Sequence, residues 1–163
     1  MNVYDAAAWL EGSTLGGAMR DTGVWTYAVV NLTHILGVAT LFGSIVILDL
    51  RLLGLWKQIP LAHLSRAVVP MAAVGFAVAF VSGAGLLATK TTEYVGNPFL
   101  YLKFPAIALG LVNVWLIHRS EAWKAHRTRD LSRRERTRLA TMGATSLACW
   151  LTAISAGRMI GYW

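Results

Sequence analysis

Residues 24–48 read VWTYAVVNLTHILGVATLFGSIVIL, an unbroken run without one charged side chain, closed by Asp49-Leu50-Arg51. A helix needs about 20 apolar residues to cross a hydrocarbon core of about 30 Å. This run is long enough, and it sets the reading of the rest. Three more windows follow: Val68 to Ala88 carries no charge, Phe99 to Ile117 carries only Lys103, and Leu139 to Ile160 carries only Arg158. A closed barrel would need more spans than 163 residues supply, and the windows lack the period-two alternation of strands. The expected fold class is therefore all-α: an integral membrane four-helix bundle forming one domain over 1–163. Its spans are expected near 24–48, 68–88, 99–117 and 139–160.

Composition agrees. Apolar residues make up 56% of the chain, charged residues 14%, and the mean hydropathy is +0.52. A soluble domain of this size needs more charge to cover its surface. The net charge of +7 is concentrated between apolar spans, so topology explains it better than nucleic acid does. The single cysteine, Cys149, sits inside an apolar run and excludes an internal disulfide. Asp5 and Glu11 occupy the place of a basic n-region, so no cleavable signal peptide is expected.

Local signals mark the ends. Pro70 lies near the start of the second window, Asn97-Pro98 breaks the chain before the third, and Ser132 with Glu135 reads as a capping box. Val3 to Leu10 suits a short interfacial helix, with Gly12, Gly16 and Gly17 after it. Arg51, Lys57 and Arg66 follow the first span, and eight more basic residues lie in the loop 118–138 after the third. Together they are 11 of the 15. The positive-inside rule places both loops in the cytoplasm and both termini outside. Small-residue rows at helical spacing (Thr33, Gly37, Thr40, Ser44; Gly75, Ala79, Gly83; Ala144, Ala148, Thr152, Ala156) suit close helix packing or a flat cofactor between helices.

Polar groups inside lipid are costly, about 2.5–3.5 kcal/mol for a central charge, so they locate candidate function. These are Asn31 and His34 in the first span, Lys103 and Asn113 in the third, and Arg158 in the fourth. His34 lies 15 residues before Asp49, about 22 Å at 1.5 Å per residue. A neutral imidazole there can ligate a metal or haem iron, relay a proton, or bond a neighbouring helix. His118, near the cytoplasmic end, is a candidate for a second haem or metal site, with His63 facing it. Met159 or another chain would complete the outer site. Lys103 and Arg158 offer cations to haem propionates or a quinone, or simply reach the headgroups.

The motifs Asn31-Leu-Thr-His34-Ile-Leu-Gly37, Gly43, Asp49-Leu-Arg51-Leu-Leu-Gly54, Lys103, Asn113, His118 and Gly157-Arg158-Met-Ile-Gly-Tyr162 resemble a family of small bacterial four-span inner-membrane proteins of unassigned function. More distantly they are similar to copper-resistance-D-type proteins and four-helix b-type cytochromes, where histidines on membrane helices ligate haem. The resemblance implies a haem b-binding electron carrier or redox subunit, rather than a stand-alone enzyme, that exchanges electrons with a quinone or an outside partner. Its partners would be the bilayer and a second copy or a redox subunit, with no nucleic acid. A small transporter or metal- or proton-handling permease component is the alternative, with Asn31 and His34 lining a polar path. A structural membrane subunit is the third reading.

Overall fold

A computed structural model describes residues 2–21 and 23–163. Among the described residues seven α-helices form: α1 (Val3–Glu11), α2 (Thr14–Asp21), α3 (Val24–Leu53), α4 (Leu61–Thr89), α5 (Pro98–Arg119), α6 (Glu121–Ala125) and α7 (Arg133–Met159). Among the described residues there is no strand. Helices α3, α4 and α5, and α7 with the turn after it, are long and apolar enough to cross a membrane. Their outward faces carry large apolar side chains, Phe80 at 66% and Val81 at 71% exposure among them. In water such faces would drive association; lipid is the solvent that matches them. The chain is an all-helical multi-pass membrane protein.

The helices outrun the apolar windows. At 1.5 Å per residue, the 30 residues of α3 extend about 45 Å, so α3 passes Asp49 without ending and stops at Gly54, whose φ of +106° suits glycine. Helix α4 begins at Leu61, so Pro70 is interior and leaves the Arg66 carbonyl without its helical donor. Pro98 does open α5 as expected. The capping box at α7 is formed: Ser132 Oγ accepts from the Glu135 amide at 3.3 Å, and Glu135 Oε2 accepts from the Ser132 amide at 2.8 Å.

The chain divides into two compact units, Met1–Leu41 with Ala73–Asn97, and Phe42–Ala72 with Pro98–Trp163. In the first unit the N-terminal segment forms two helices where one was expected. Gly12 caps α1, but Gly16 and Gly17 lie inside α2 rather than breaking it. The reason is space: a Cβ at Gly16 would stand 2.3 Å from the Glu11 carbonyl and 2.9 Å from the Ala88 carbonyl. Arg20 donates to the Thr89 carbonyl at 3.3 Å, fastening α2 to the end of α4. Helices α3 and α4 meet backbone to backbone, as their small-residue rows imply. A Cβ at Gly37 would lie 2.7 Å from the Ala79 nitrogen, and one at Gly75 would lie 2.5 Å from the Leu41 nitrogen.

In the second unit α5 packs along α7. The inward row of α7 is Leu139, Gly143, Ser146, Trp150, Ala153 and Ala156, which overlaps the anticipated small-residue row only at Ala156. Ala144 and Ala148 face outward. The large residue in the inward row decides this: Trp150 lies across Gly110, where a Cβ would be 3.2 Å from its ring. The basic loop is not featureless. Ser120 caps α6 by accepting from the Trp123 amide at 3.2 Å, and Trp123 joins Leu52, Ile117, Ala122 and Leu139 in one core cluster.

Candidate functional site

His34 projects from α3 onto α4 within the first unit. Its Nδ1 stands 2.9 Å from the Ala79 carbonyl and 3.2 Å from Ser82 Oγ. A carbonyl only accepts, so in the neutral ring Nδ1 carries the proton and Nε2 is the lone-pair nitrogen. Ser82 Oγ donates its own proton to the Val78 carbonyl at 2.5 Å, which frees it to accept from His34. Gly83 makes room: a Cβ there would stand 2.9 Å from the ring's Cε1, while Nε2 is further off at 3.9 Å. Asn31, one turn earlier on α3, is half-buried and makes no side-chain hydrogen bond among the described residues.

The other histidines belong to the second unit, and their grouping differs from the expected one. His118 is exposed, with Nδ1 donating to its own helix at the Val114 carbonyl, 2.8 Å away. His63 is also exposed, and no hydrogen bond or ring contact joins the two among the described residues. Instead Trp123 packs at a tilt against both His118 and His126, with ring centroids at 5.3 Å and 4.4 Å. His126, 8% exposed, donates from Nδ1 to the Trp123 carbonyl and receives a hydrogen bond at Nε2 from Ser65 Oγ, 2.9 Å away. Removal from water holds this imidazole below its ordinary value. In the sequence His126 lies in the basic loop 118–138, and its burial depends on the packing of α6.

Lys103 lies along Gly157 of α7, where a Cβ would be 3.5 Å from Nζ. It makes no hydrogen bond or ion pair among the described residues. Arg158 is engaged: its guanidinium lies 4.5 Å over the Tyr162 ring and donates to the Tyr162 hydroxyl. Asn113 faces inward, its Nδ2 donating to the Met142 carbonyl at 3.0 Å, so it joins helices as anticipated.

Asp49 is the residue that sequence reasoning missed. Taken as the point where water begins, it is only 3% exposed. The Ser146 side chain hydrogen-bonds its carboxyl, and its Oδ2 has no hydrogen-bond partner. Arg51 does not pair with it, because residues two apart on a helix face different ways. The Arg51 guanidinium turns instead to the carbonyls of Ile59 at 2.8 Å and Lys57 at 3.3 Å. A signal was present in the sequence: an acid two positions from a base cannot share its helix face.

A family of unknown function, DUF6644, matches residues 6–163. The chain belongs to that family. No curated protein and no solved structure matches the chain. Membership in DUF6644 accords with a small four-span membrane protein and assigns no chemistry, so function has to be argued from the groups described above.

Proposed function

We propose that this DUF6644 member is a haem b-binding electron carrier of the bacterial cytoplasmic membrane, with His34 as an axial ligand. The observation that supports the reading is the pinned tautomer of His34: Nδ1–H on the Ala79 carbonyl makes Nε2 the ligating nitrogen, the arrangement by which proteins orient metal-binding imidazoles. Haem b would supply one-electron exchange with a quinone or an outside partner. The residues fit one axial position. The pairing of His118 with His63 is not used, since both rings are exposed. In the second unit Lys103, a half-buried cation without a counter-charge among the described residues, is suited to a quinone carbonyl. In the same reading the basic loops face the cytoplasm and both termini face outward.

The test is optical. The purified full-length protein, supplemented with haem, is expected to show a Soret band and an α-band on reduction. His34→Ala should abolish both. A wild-type protein with no Soret band after supplementation ends the reading.

A proton- or metal-handling permease component is the second reading. It is favoured by Asn31, half-buried and unbonded one turn from His34. Solute flux into liposomes without a chromophore would select it.

A further inference from the structure

The buried carboxyl of Asp49 is used by neither reading. Its surroundings are built by α3 and α7. Gly143 lets α7 come close, since a Cβ there would stand 3.3 Å from the Asp49 carbonyl oxygen and 3.2 Å from Leu52 Cβ. One turn along α7, the Ser146 side chain bonds the carboxyl, and Ser146 is itself 3% exposed. Asn113 of α5 meets the same stretch of α7, but its amide is spent on Met142. Oδ2 is left without a donor.

No charge answers it. The ion pairs among the described residues are Lys90–Glu93, Lys124–Glu121 and Arg129–Glu135, and none reaches Asp49. On its own helix Arg51 is held by the Lys57 and Ile59 carbonyls. On α4 the nearest ionisable residues in sequence, His63 and Arg66, are exposed. From α7 the Ser146 hydroxyl meets it, and no ion pair joins it to a charged group among the described residues. A carboxylate out of water and unpaired is strongly disfavoured, and something must neutralise it. A metal ion would require a shell of several oxygens, whereas the one side-chain oxygen bonded here is the Ser146 hydroxyl. A proton requires no shell.

We propose that Asp49 is a membrane-embedded proton-exchange site. Its carboxylate takes one proton from water at the α3–α4 loop, Oδ2 becoming the O–H of a neutral carboxylic acid. Release returns the carboxylate and the proton to water, with no other bond made or broken. The site goes beyond the haem reading and does not depend on it.

Infrared difference spectroscopy of the full-length protein in liposomes, across a pH titration, tests this. The expected result is a protonated-carboxyl C=O band that shifts in heavy water and vanishes in Asp49→Asn. Ser146→Ala, which leaves the acid in place, should move the band's frequency without removing it. Asp49→Asn is expected to keep any haem spectrum, so failure here and failure of the haem reading are separable. A band unchanged in Asp49→Asn, or unmoved in Ser146→Ala, overturns the proposal. So does a band that sodium ions abolish at constant pH, which would make the site a cation site.

Discussion

His34 and Asp49 stand 15 residues apart on one helix, both polar in an apolar run, yet their surroundings differ in kind. His34 is satisfied by its neighbour helix: the Ala79 carbonyl and the Ser82 hydroxyl both accept from Nδ1. Asp49 finds one hydroxyl and keeps a bare oxygen. The difference follows from what a membrane helix can offer. Its N–H groups are consumed by its own ladder, but each carbonyl retains a second lone pair. A buried donor can therefore be satisfied by any helix that approaches closely enough. A buried acceptor needs a hydroxyl, an amide, a proton or a cation brought to it.

The largest expected effect breaks the close approach itself. Gly75→Val puts a branched side chain where even a Cβ would be 2.5 Å from the Leu41 backbone nitrogen. Backbone cannot yield as a side-chain tip can, so a loss of about 3 kcal/mol is expected. Thermal unfolding in detergent, followed by circular dichroism, should show a lowered midpoint. The His34 contact with Ala79 should fail with it, and any haem band should broaden. The second effect contrasts the two groups directly. His34→Leu should lower stability by about 1 kcal/mol, the usual scale of an interhelical hydrogen bond in a membrane. Asp49→Leu should leave stability unchanged or raise it by about 1 kcal/mol, because an unsatisfied buried acceptor is removed and Ser146 can turn to the Met142 carbonyl of its own helix. Equal losses from both substitutions would refute the contrast.

The sequence revealed these parts unequally. The four spans were legible because lipid demands long uncharged runs, and the Ser132–Glu135 and Pro98 signals are local chemistry. The small-residue rows on α3 and α4 suited either close packing or a flat cofactor, and it is at Gly37 and Gly75 that the two backbones meet. The inward face of α7 was not legible, because Trp150 outweighs the small residues and its place depends on Gly110 of another helix. His34 stood out because a histidine in an apolar run is conspicuous. Asp49 was hidden at the run's end, where a charge looks like a boundary. Only the continuation of α3 to Leu53 turns it inward. The grouping of His126 with Ser65 and Trp123 required α6, five residues whose cap is visible at Ser120 but whose packing is not.

His126 sharpens the same argument at a loop. Its ring is buried as the neutral form, Nδ1 donating to a carbonyl and Nε2 accepting from Ser65. Since its folded value lies below the ordinary 6.5, the unfolded state binds more protons in that range. Its contribution is complete above about 6.5 and declines as pH falls below it. Amide exchange over α6 should therefore accelerate on mild acidification. His126→Gln should lose that pH dependence while α6 stays formed.

The smallest effect concerns a third acid, Glu11, which shows what Asp49 lacks. Glu11 Oε2 accepts from the Thr92 amide at 2.9 Å and from the Thr92 hydroxyl at 2.6 Å. Thr92 lies in the short 3₁₀ turn Thr91–Tyr94 just after α4 ends, and first-turn N–H groups have no helical partner. Here the backbone does offer a donor, so a carboxylate is satisfied without a proton. The Thr92 hydroxyl and amide hold Glu11 below its ordinary 4.5. By linkage its contribution is present above 4.5 and is lost as pH falls through the depressed folded value. Because this contact is at the surface and screened, the global unfolding midpoint should barely respond. Amide exchange over α1 is the sensitive readout. It should rise at acid pH in the wild type and become independent of pH in Glu11→Gln. An α1 segment equally protected at neutral and acid pH in the wild type would mean that a free N–H at a helix end is not what separates the satisfied acid from the bare one.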